Sequence, residues 1–117
     1  KLIENSKKMG KYAVEKLRFL QTTSSVIGSV RAIGLMIGIE IVDPVTGKPD
    51  GEALMSILDR CLEKGVLFYL CGNHGEVIRM IPPLTISKDE IDHGLKVLEE
   101  AVYEYQSSLL SKALLNS

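Results

Sequence analysis

Residues 30–42 contain a run in which large aliphatic side chains alternate with side chains of varied size and polarity. This alternation constrains the fold more than any other feature of the chain. Large aliphatic residues occupy every second position, at Leu35, Ile37, Ile39 and Ile41. The positions between them hold Met36, Gly38, Glu40 and Val42. A period of two is typical of a β-strand with one buried face. Because Gly34 separates this segment from Val30–Ile33, the pattern predicts two adjacent strands, with Gly38 allowing close backbone approach on the second face.

Three other segments have apolar residues at the spacing of amphipathic helices. We predict the first helix over Leu2–Leu20, the second over Glu52–Lys64 and the third from Ser87 onward. Gly65 supplies the left-handed residue that ends many helices. Ser87 and Glu90 have the spacing of a capping box, which predicts the start of the third helix.

Two short apolar segments, Val66–Cys71 and Val77–Ile81, are predicted to be strands, with a turn at Gly72–Gly75 and a stop at Pro82 and Pro83. The order is helix, two strands, helix, two strands, helix. It predicts an α+β fold in which helices cover one face of a small, mainly antiparallel sheet. With 117 residues and 12.9 kDa, the chain suits a single domain. The uncovered face is expected to dock against another domain or subunit.

Arg79 is the candidate functional residue, because its guanidinium lies within an apolar strand that is followed by two prolines. A desolvated guanidinium is costly unless a carboxylate or another anion accepts its hydrogen bonds. The residues alone leave two interpretations. Arg79 either pairs with Glu40 or another acid of the chain, or it binds an anionic ligand.

Composition excludes several classes of function. The 14 basic and 15 acidic residues are spread without long runs, so neither a nucleic-acid footprint nor a membrane patch is predicted. Cys61 and Cys71 lack metal-ligand spacing and are expected to be buried free thiols of a reducing, cytoplasmic compartment. His74 is expected in a solvated turn and His93 on a helix surface, so neither is a catalytic candidate, and no metal ligand is assigned.

Two stretches carry a family resemblance. The first, VRAIGLMIGIEIVDP, and the second, CLEKGVLFYLCGNHGEVIRMIPPLTIS, resemble signatures of the C-terminal small domain of class III pyridoxal-phosphate-dependent aminotransferases. The matching residues are Gly34, Leu35, Met36, Gly38, Glu40, Gly65, Gly72, Ile78, Arg79, Pro83, Leu84 and Ile86. The loop DPVTGKP and the turn CGNHG are most similar to the 4-aminobutyrate branch, with diaminobutyrate and related omega-amino acid enzymes close behind.

This resemblance implies that Arg79 receives the carboxylate of an amino acid or oxo acid such as 2-oxoglutarate. It also implies that pyridoxal phosphate, the lysine that binds it and the catalytic residues belong to a large domain upstream of Lys1. Residues 1–117 would then be an inactive fragment of a homodimeric enzyme, with no catalytic or cofactor-binding residue of their own. Two alternatives are a non-enzymatic amino-acid-binding module and a structural interaction domain whose bare sheet face pairs with itself.

Overall fold

The elements of the chain follow the predicted order. The computed structural model describes residues 2–33, 36–66, 69–71, 77–81 and 85–115. Within these ranges the elements are α1 (Leu2–Thr23), β1 (Ile27–Ile33), β2 (Met36–Ile41), α2 (Gly51–Glu63), β3 (Tyr69–Cys71), β4 (Val77–Met80) and α3 (Lys88–Leu115). The predicted helix, two strands, helix, two strands, helix is therefore confirmed, with ends that differ by a few residues.

The strands form one antiparallel sheet in the order β1-β2-β4-β3. Strand β1 begins at Ile27, three residues earlier than Val30, where the sequence pattern placed it. The register between β1 and β2 shifts between Ile27 and Ser29, so Gly28 occupies a β-bulge. A β-carbon at Gly28 would lie 2.6 Å from both Glu40 Oε1 and Val42 Cγ1, which explains why this position is a glycine.

The helices cover one face of the sheet, as predicted. Ile37, Ile39 and Ile41 of β2 are fully buried, while Met36 is 49% exposed. In β4, Ile78 and Met80 are buried, whereas Val77 and Arg79 are only half-buried. Contacts from α1 and α2 to β2 place the helices on the buried side. The period of two in residues 30–42 therefore reflects one covered face and one open face.

We define the open face as the sheet surface opposite the helices. Its described residues are Ser29, Arg31, Met36, Gly38, Glu40, Val77 and Arg79. These residues are mixed in polarity. Val42, expected at the end of this face, is 7% exposed because it lies beside Gly28 and the 43–50 loop, with its amide donating to the carbonyl of Val26 at 2.8 Å.

The predicted helix ends are present. Asp50 caps α2 by accepting a hydrogen bond from the amide of Ala53 at 3.0 Å, and Gly65 follows the helix with a φ of 87°. At the start of α3, the amide of Ser87 donates to Glu90 Oε1 at 3.1 Å and the amide of Glu90 donates to Ser87 Oγ at 3.2 Å. This reciprocal pair is the capping box that the sequence predicts.

Polar contacts join the helices outside the apolar core. The Tyr12 hydroxyl of α1 donates to the Asp92 carboxylate of α3, and Lys16 lies 3.1 Å from the same carboxylate. The hydrogen bond from Tyr12, followed by that from Lys16, lowers the pKa of Asp92. On the other side of α3, Lys64 Nζ lies 3.1 Å from Glu104. These contacts fix α3 against both other helices.

The last helix continues to Leu115, so the C-terminal tail extends it as the sequence suggested. Its buried stripe ends near Val102, and the later residues Leu110, Leu114 and Leu115 are exposed. None of the described helices combines the length and the apolar character that a membrane span requires.

Several predictions concern residues outside the described ranges. They include Gly34 and Leu35 of the first family-like stretch, the turn at residues 72–75 with His74, and the stop at Pro82 and Pro83. The start of the predicted strand at residues 67 and 68 and the side chain of Cys71 also lie outside them.

Candidate functional site

Arg79 lies on β4, between β2 and β3, with its side chain on the open face. Its chain neighbours Ile78 and Met80 face the helices and are buried, but Arg79 is half-buried. The apolar run around Arg79 therefore does not place its guanidinium in the core. Instead, the run contributes one buried row, while alternation directs the arginine to the opposite side.

The strand register aligns two arginines across the open face. Arg31 of β1 faces Gly38 of β2, Gly38 also faces Arg79 of β4, and Arg79 faces Tyr69 of β3. We call Arg31, Gly38 and Arg79 the arginine row. Since neighbouring strands lie about 4.8 Å apart, the Cα atoms of the two arginines are about 10 Å apart. Among described atoms, a β-carbon at Gly38 would meet only Val77 Cγ1, at 3.5 Å, so the glycine leaves a gap between the arginines.

Glu40 is the acid that the sequence suggested as a partner of Arg79. Its register partner on β4 is Val77, one diagonal step from Arg79. The Glu40 carboxylate instead reaches toward β1, because its Oε1 lies over Gly28. The ion pairs formed between described residues join side chains other than those of Arg79 and Glu40. Arg79 does have an interaction partner of its own. The described residues thus do not support the interpretation that Arg79 pairs with Glu40, whereas pairing with another acid of the chain stays an open prediction.

The arrangement suits recognition of a carboxylate. A guanidinium presents planar, paired N–H donors that match the two oxygens of a carboxylate, and it stays charged when partly desolvated. Arg79 is held on the inner strand of the sheet, and the gap at Gly38 leaves space beside it. The described part of the site contains the guanidinium groups of the arginine row and the gap at Gly38, but it contains no nucleophile beside Arg79.

Other reactive side chains lie away from the arginine row. Cys61 is a buried free thiol in α2, as predicted, and burial raises its pKa to about 11. His93 is exposed on α3, also as predicted. A groove of about 780 Å³ is lined by α1 and α3, including Tyr12 and Asp92, on the helical side rather than near Arg79. The residues that the structure describes contain no group of three or more potential metal ligands.

Comparison with known protein families shows which family this chain belongs to. The model of the family "Aminotransferase class-III" matches residues 1–102. The chain belongs to the class III aminotransferase family. The match includes β1, β2 and β4, and so the whole arginine row lies within the part of the chain that the family shares.

Individual relatives agree with this membership. A 5-aminovalerate aminotransferase of Pseudomonas putida is 35% identical over 104 residues, which are 89% of this chain and 24% of the relative. A 4-aminobutyrate aminotransferase of Mycobacterium leprae is 33% identical over 104 residues, 89% of this chain and 23% of the relative. A solved phospholyase from Arthrobacter, in complex with phosphoethanolamine, matches with a TM-score of 0.84 and 30% identity over 87% of this chain and 24% of that one. The chain spans about a quarter of the length of these relatives.

Class III aminotransferases generally use pyridoxal phosphate, which needs a lysine at the cofactor aldehyde, a carboxylate at the ring nitrogen and phosphate donors. The described lysines of this chain lie on helices or connecting loops, and none lies on a strand near Arg79. Lys16 is held by Asp92, and Lys64 by Glu100 and Glu104. The described residues therefore do not make a pyridoxal phosphate site by themselves.

The sequence prediction named Arg79 as the site residue, noted that Gly38 allows close backbone approach, and did not single out Arg31. In the structure Val30 and its register partner Ile39 are buried, so alternation directs Arg31 to the open face. What the sequence did not provide was the register that places Arg31 opposite Gly38.

Proposed function

We propose that this chain is the C-terminal small domain of a pyridoxal-phosphate-dependent aminotransferase, in which it recognises the substrate carboxylate. The observation that carries the proposal is the position of Arg79, half-buried on the open face of a class III aminotransferase chain, with a gap beside it at Gly38. The remainder of the enzyme would cover this face. It would also provide the lysine, carboxylate and phosphate contacts that hold the cofactor.

In this proposal Arg79 binds the substrate carboxylate and orients the substrate. Its two N–H groups bind one carboxylate, and the surrounding strand fixes their direction. Holding the carboxylate end of an extended amino acid restricts where its amino end can lie, and this loss of freedom before the reaction favours catalysis. Pyridoxal phosphate, held by residues outside this chain, would supply the carbonyl chemistry by which the amino donor and the oxo acid exchange an amino group.

The proposed amino donor is an omega-amino acid such as 5-aminovalerate or 4-aminobutyrate, and the proposed acceptor is an oxo acid such as 2-oxoglutarate. Support comes from the relatives, two of which are named for these donors. Each donor carries its amino group at the end opposite its carboxylate, so one guanidinium is enough to orient it. The proposed enzyme is a cytoplasmic homodimer.

The test is aminotransferase activity of the full-length gene product with 5-aminovalerate or 4-aminobutyrate and 2-oxoglutarate. Arg79→Gln should lower kcat/KM by about 100-fold, since losing a partly desolvated charge-assisted contact costs about 2–3 kcal/mol. Arg79→Lys should retain part of the activity, because the charge remains while the paired geometry is lost. The exposed variant Lys112→Gln, far along α3, is the matched control for net charge. Unchanged kinetics in Arg79→Gln would refute the assignment.

A second candidate is a lyase that acts on an amino phosphate ester. It is favoured by the match to the phospholyase in complex with phosphoethanolamine and by the arginine row, since arginine also binds phosphate. Release of inorganic phosphate from phosphoethanolamine, without transfer of an amino group to an oxo acid, would identify this activity.

A further inference from the structure

We propose that the outer edge of β1 binds an extended acidic segment of another protein, which adds to the sheet as a further strand. The binding surface consists of this edge and of a cationic groove between β1 and α1. It uses none of the residues of the arginine row, so the inference is independent of the proposed function. Addition of a strand to a sheet edge is a common mode of peptide recognition.

The strand β1 forms one edge of the described sheet, with β2 as its neighbour. Hydrogen bonds and register show which way the backbone of β2 points. The amide of Val42 donates to the carbonyl of Val26 at 2.8 Å, so residue 42 directs its backbone groups toward the chain of β1. Because these groups alternate in direction along a strand, Glu40 and Gly38 point toward β1 as well.

The same alternation identifies the backbone groups on the outer edge. Ser29 and Arg31 are the register partners of those two residues, so their own backbone groups point toward β2. Val30 and Ala32 therefore direct their N–H and C=O groups away from the sheet. A strand edge with such groups is a template for pairing with another chain.

Side chains of α1 cover part of this edge. Gln21 Nε2 donates to the carbonyl of Gly28 at 3.0 Å, and Arg18 Nη2 donates to the carbonyl of Val30 at 3.5 Å. These bonds agree with outward-facing carbonyls at residues 28 and 30, and they show that α1 runs antiparallel to β1. Ala32 is exposed beyond them. Within the described residues the edge is therefore covered at Gly28 and Val30 and open at Ala32.

A cationic groove of about 440 Å³ lies beside Ala32. The α1 residues that line it include the cations Lys7, Lys11 and Arg18 and the acid Glu15, so positive charges exceed negative charges by three to one. The ion pairs formed between described residues include none of these three cations. The described surface of the groove therefore attracts a negatively charged partner.

The cations are spaced to meet acidic side chains on an extended chain. Lys7 and Lys11 lie about one helical turn apart, or about 6 Å along α1. In an extended segment, side chains on one face recur every two residues, or about every 6.7 Å. Acidic residues at alternate positions can therefore approach both lysines while the backbone of the segment pairs with Ala32. The bond from Arg18 to Val30 is long, so it can be exchanged for a stronger bond to a carboxylate.

The test measures the binding of short peptides to the full-length gene product by fluorescence anisotropy. The probe is a dye-labelled, amidated peptide with the sequence Glu-Val-Glu-Val-Glu. The same peptide with every backbone nitrogen methylated keeps the charge but loses the N–H donors. A Lys-Val-Lys-Val-Lys peptide reverses the charge. We expect the unmodified acidic peptide to bind at least about tenfold more tightly than either control.

The variants are Lys11→Gln, Arg18→Gln and the matched control Lys8→Gln, which removes an exposed lysine of α1 that does not line the groove. Lys11→Gln and Arg18→Gln should each weaken binding of the acidic peptide about threefold to fivefold, and Lys8→Gln by less than about 1.5-fold. Bound peptide should also slow hydrogen exchange in the segment that contains Val30 and Ala32, since an added strand protects their outward amides.

Equal affinity for the acidic peptide and its N-methylated form would show that charge alone accounts for binding, and it would overturn the inference. Equal losses in Lys11→Gln and Lys8→Gln, unchanged hydrogen exchange at β1, or no binding of the acidic peptide would overturn it as well. None of these results depends on whether the protein transfers amino groups, so the proposed function stands or fails separately.

Discussion

Two glycines of the sheet, Gly38 and Gly28, should respond in opposite ways to substitution by alanine. At Gly38, a new methyl group would meet only Val77 Cγ1 among described atoms, at the ordinary contact distance of 3.5 Å. At Gly28, it would lie 2.6 Å from Glu40 Oε1 and Val42 Cγ1. The carboxylate of Glu40 can move aside, but the side chain of Val42 is buried and cannot.

The expected magnitudes follow from these distances. Gly38→Ala should stabilise the chain by about 0.5–1 kcal/mol, because alanine loses less backbone entropy than glycine in a strand. Gly28→Ala should destabilise it by about 1–3 kcal/mol, the usual cost of overpacking. Urea unfolding of the 117-residue chain measures both values from the midpoint at a common slope. A destabilised Gly38→Ala variant, or an unaffected Gly28→Ala variant, would contradict the geometry.

Gly38→Ala also separates stability from function. Its methyl group would project into the gap of the arginine row, so the stabilised variant should bind 2-oxoglutarate about tenfold more weakly in the full-length gene product. A KM for 2-oxoglutarate equal to that of the wild type would show that substrate does not lie over Gly38.

Three further predictions concern the scaffold. Ile39→Ala should lower the free energy of unfolding by about 2–5 kcal/mol in urea titration because Ile39 is fully buried, whereas Met36→Ala, at a 49% exposed position, should lower it by less than about 1 kcal/mol. Asp50→Ala should lower the free energy of unfolding by about 1 kcal/mol, because it removes the cap of α2, and Asp50→Asn should retain most of this stability. Equal losses in the two variants would reject the capping role. Burial raises the pKa of Cys61 from 9.0 to about 11. The protonated thiol therefore contributes its full stabilisation of the fold below pH 9, and this stabilisation is lost as the pH rises through 11. The variant Cys61→Ala should lack this decline in the free energy of unfolding. In a Cys71→Ser background the native thiol should resist labelling at pH 8, and rapid labelling there would contradict its burial.

The sequence predicted the fold well because its local signals agree with its tertiary packing. The alternation of residues 36–41 reports a sheet with one covered face, and the capping box at Ser87 and Glu90 forms as its spacing indicates. The start of β1 was placed too late because the bulge at Gly28 interrupts the period of two. A bulge depends on cross-strand contacts, here with Glu40 and Val42, which are distant in sequence.

The site was predicted only in part for a similar reason. Arg79 stands out as a charged residue in an apolar run, so composition alone identifies it. Arg31 has no such contrast with its neighbours, and its place opposite Gly38 depends on strand register. Register is set by the fit of whole strands and by the bulge, rather than by residues near Arg31. From the residues alone, Glu40 or another acid of the chain was a possible partner of Arg79, but the Glu40 carboxylate lies over Gly28.

The most direct test of the account is to locate the cofactor lysine in the full-length gene product by borohydride reduction, proteolysis and peptide mass mapping. The account predicts a reduced pyridoxal adduct on a lysine outside residues 1–117, because the described lysines of this chain lie away from Arg79. An adduct on a lysine within these residues, or a gene product that takes up no pyridoxal phosphate, would contradict it.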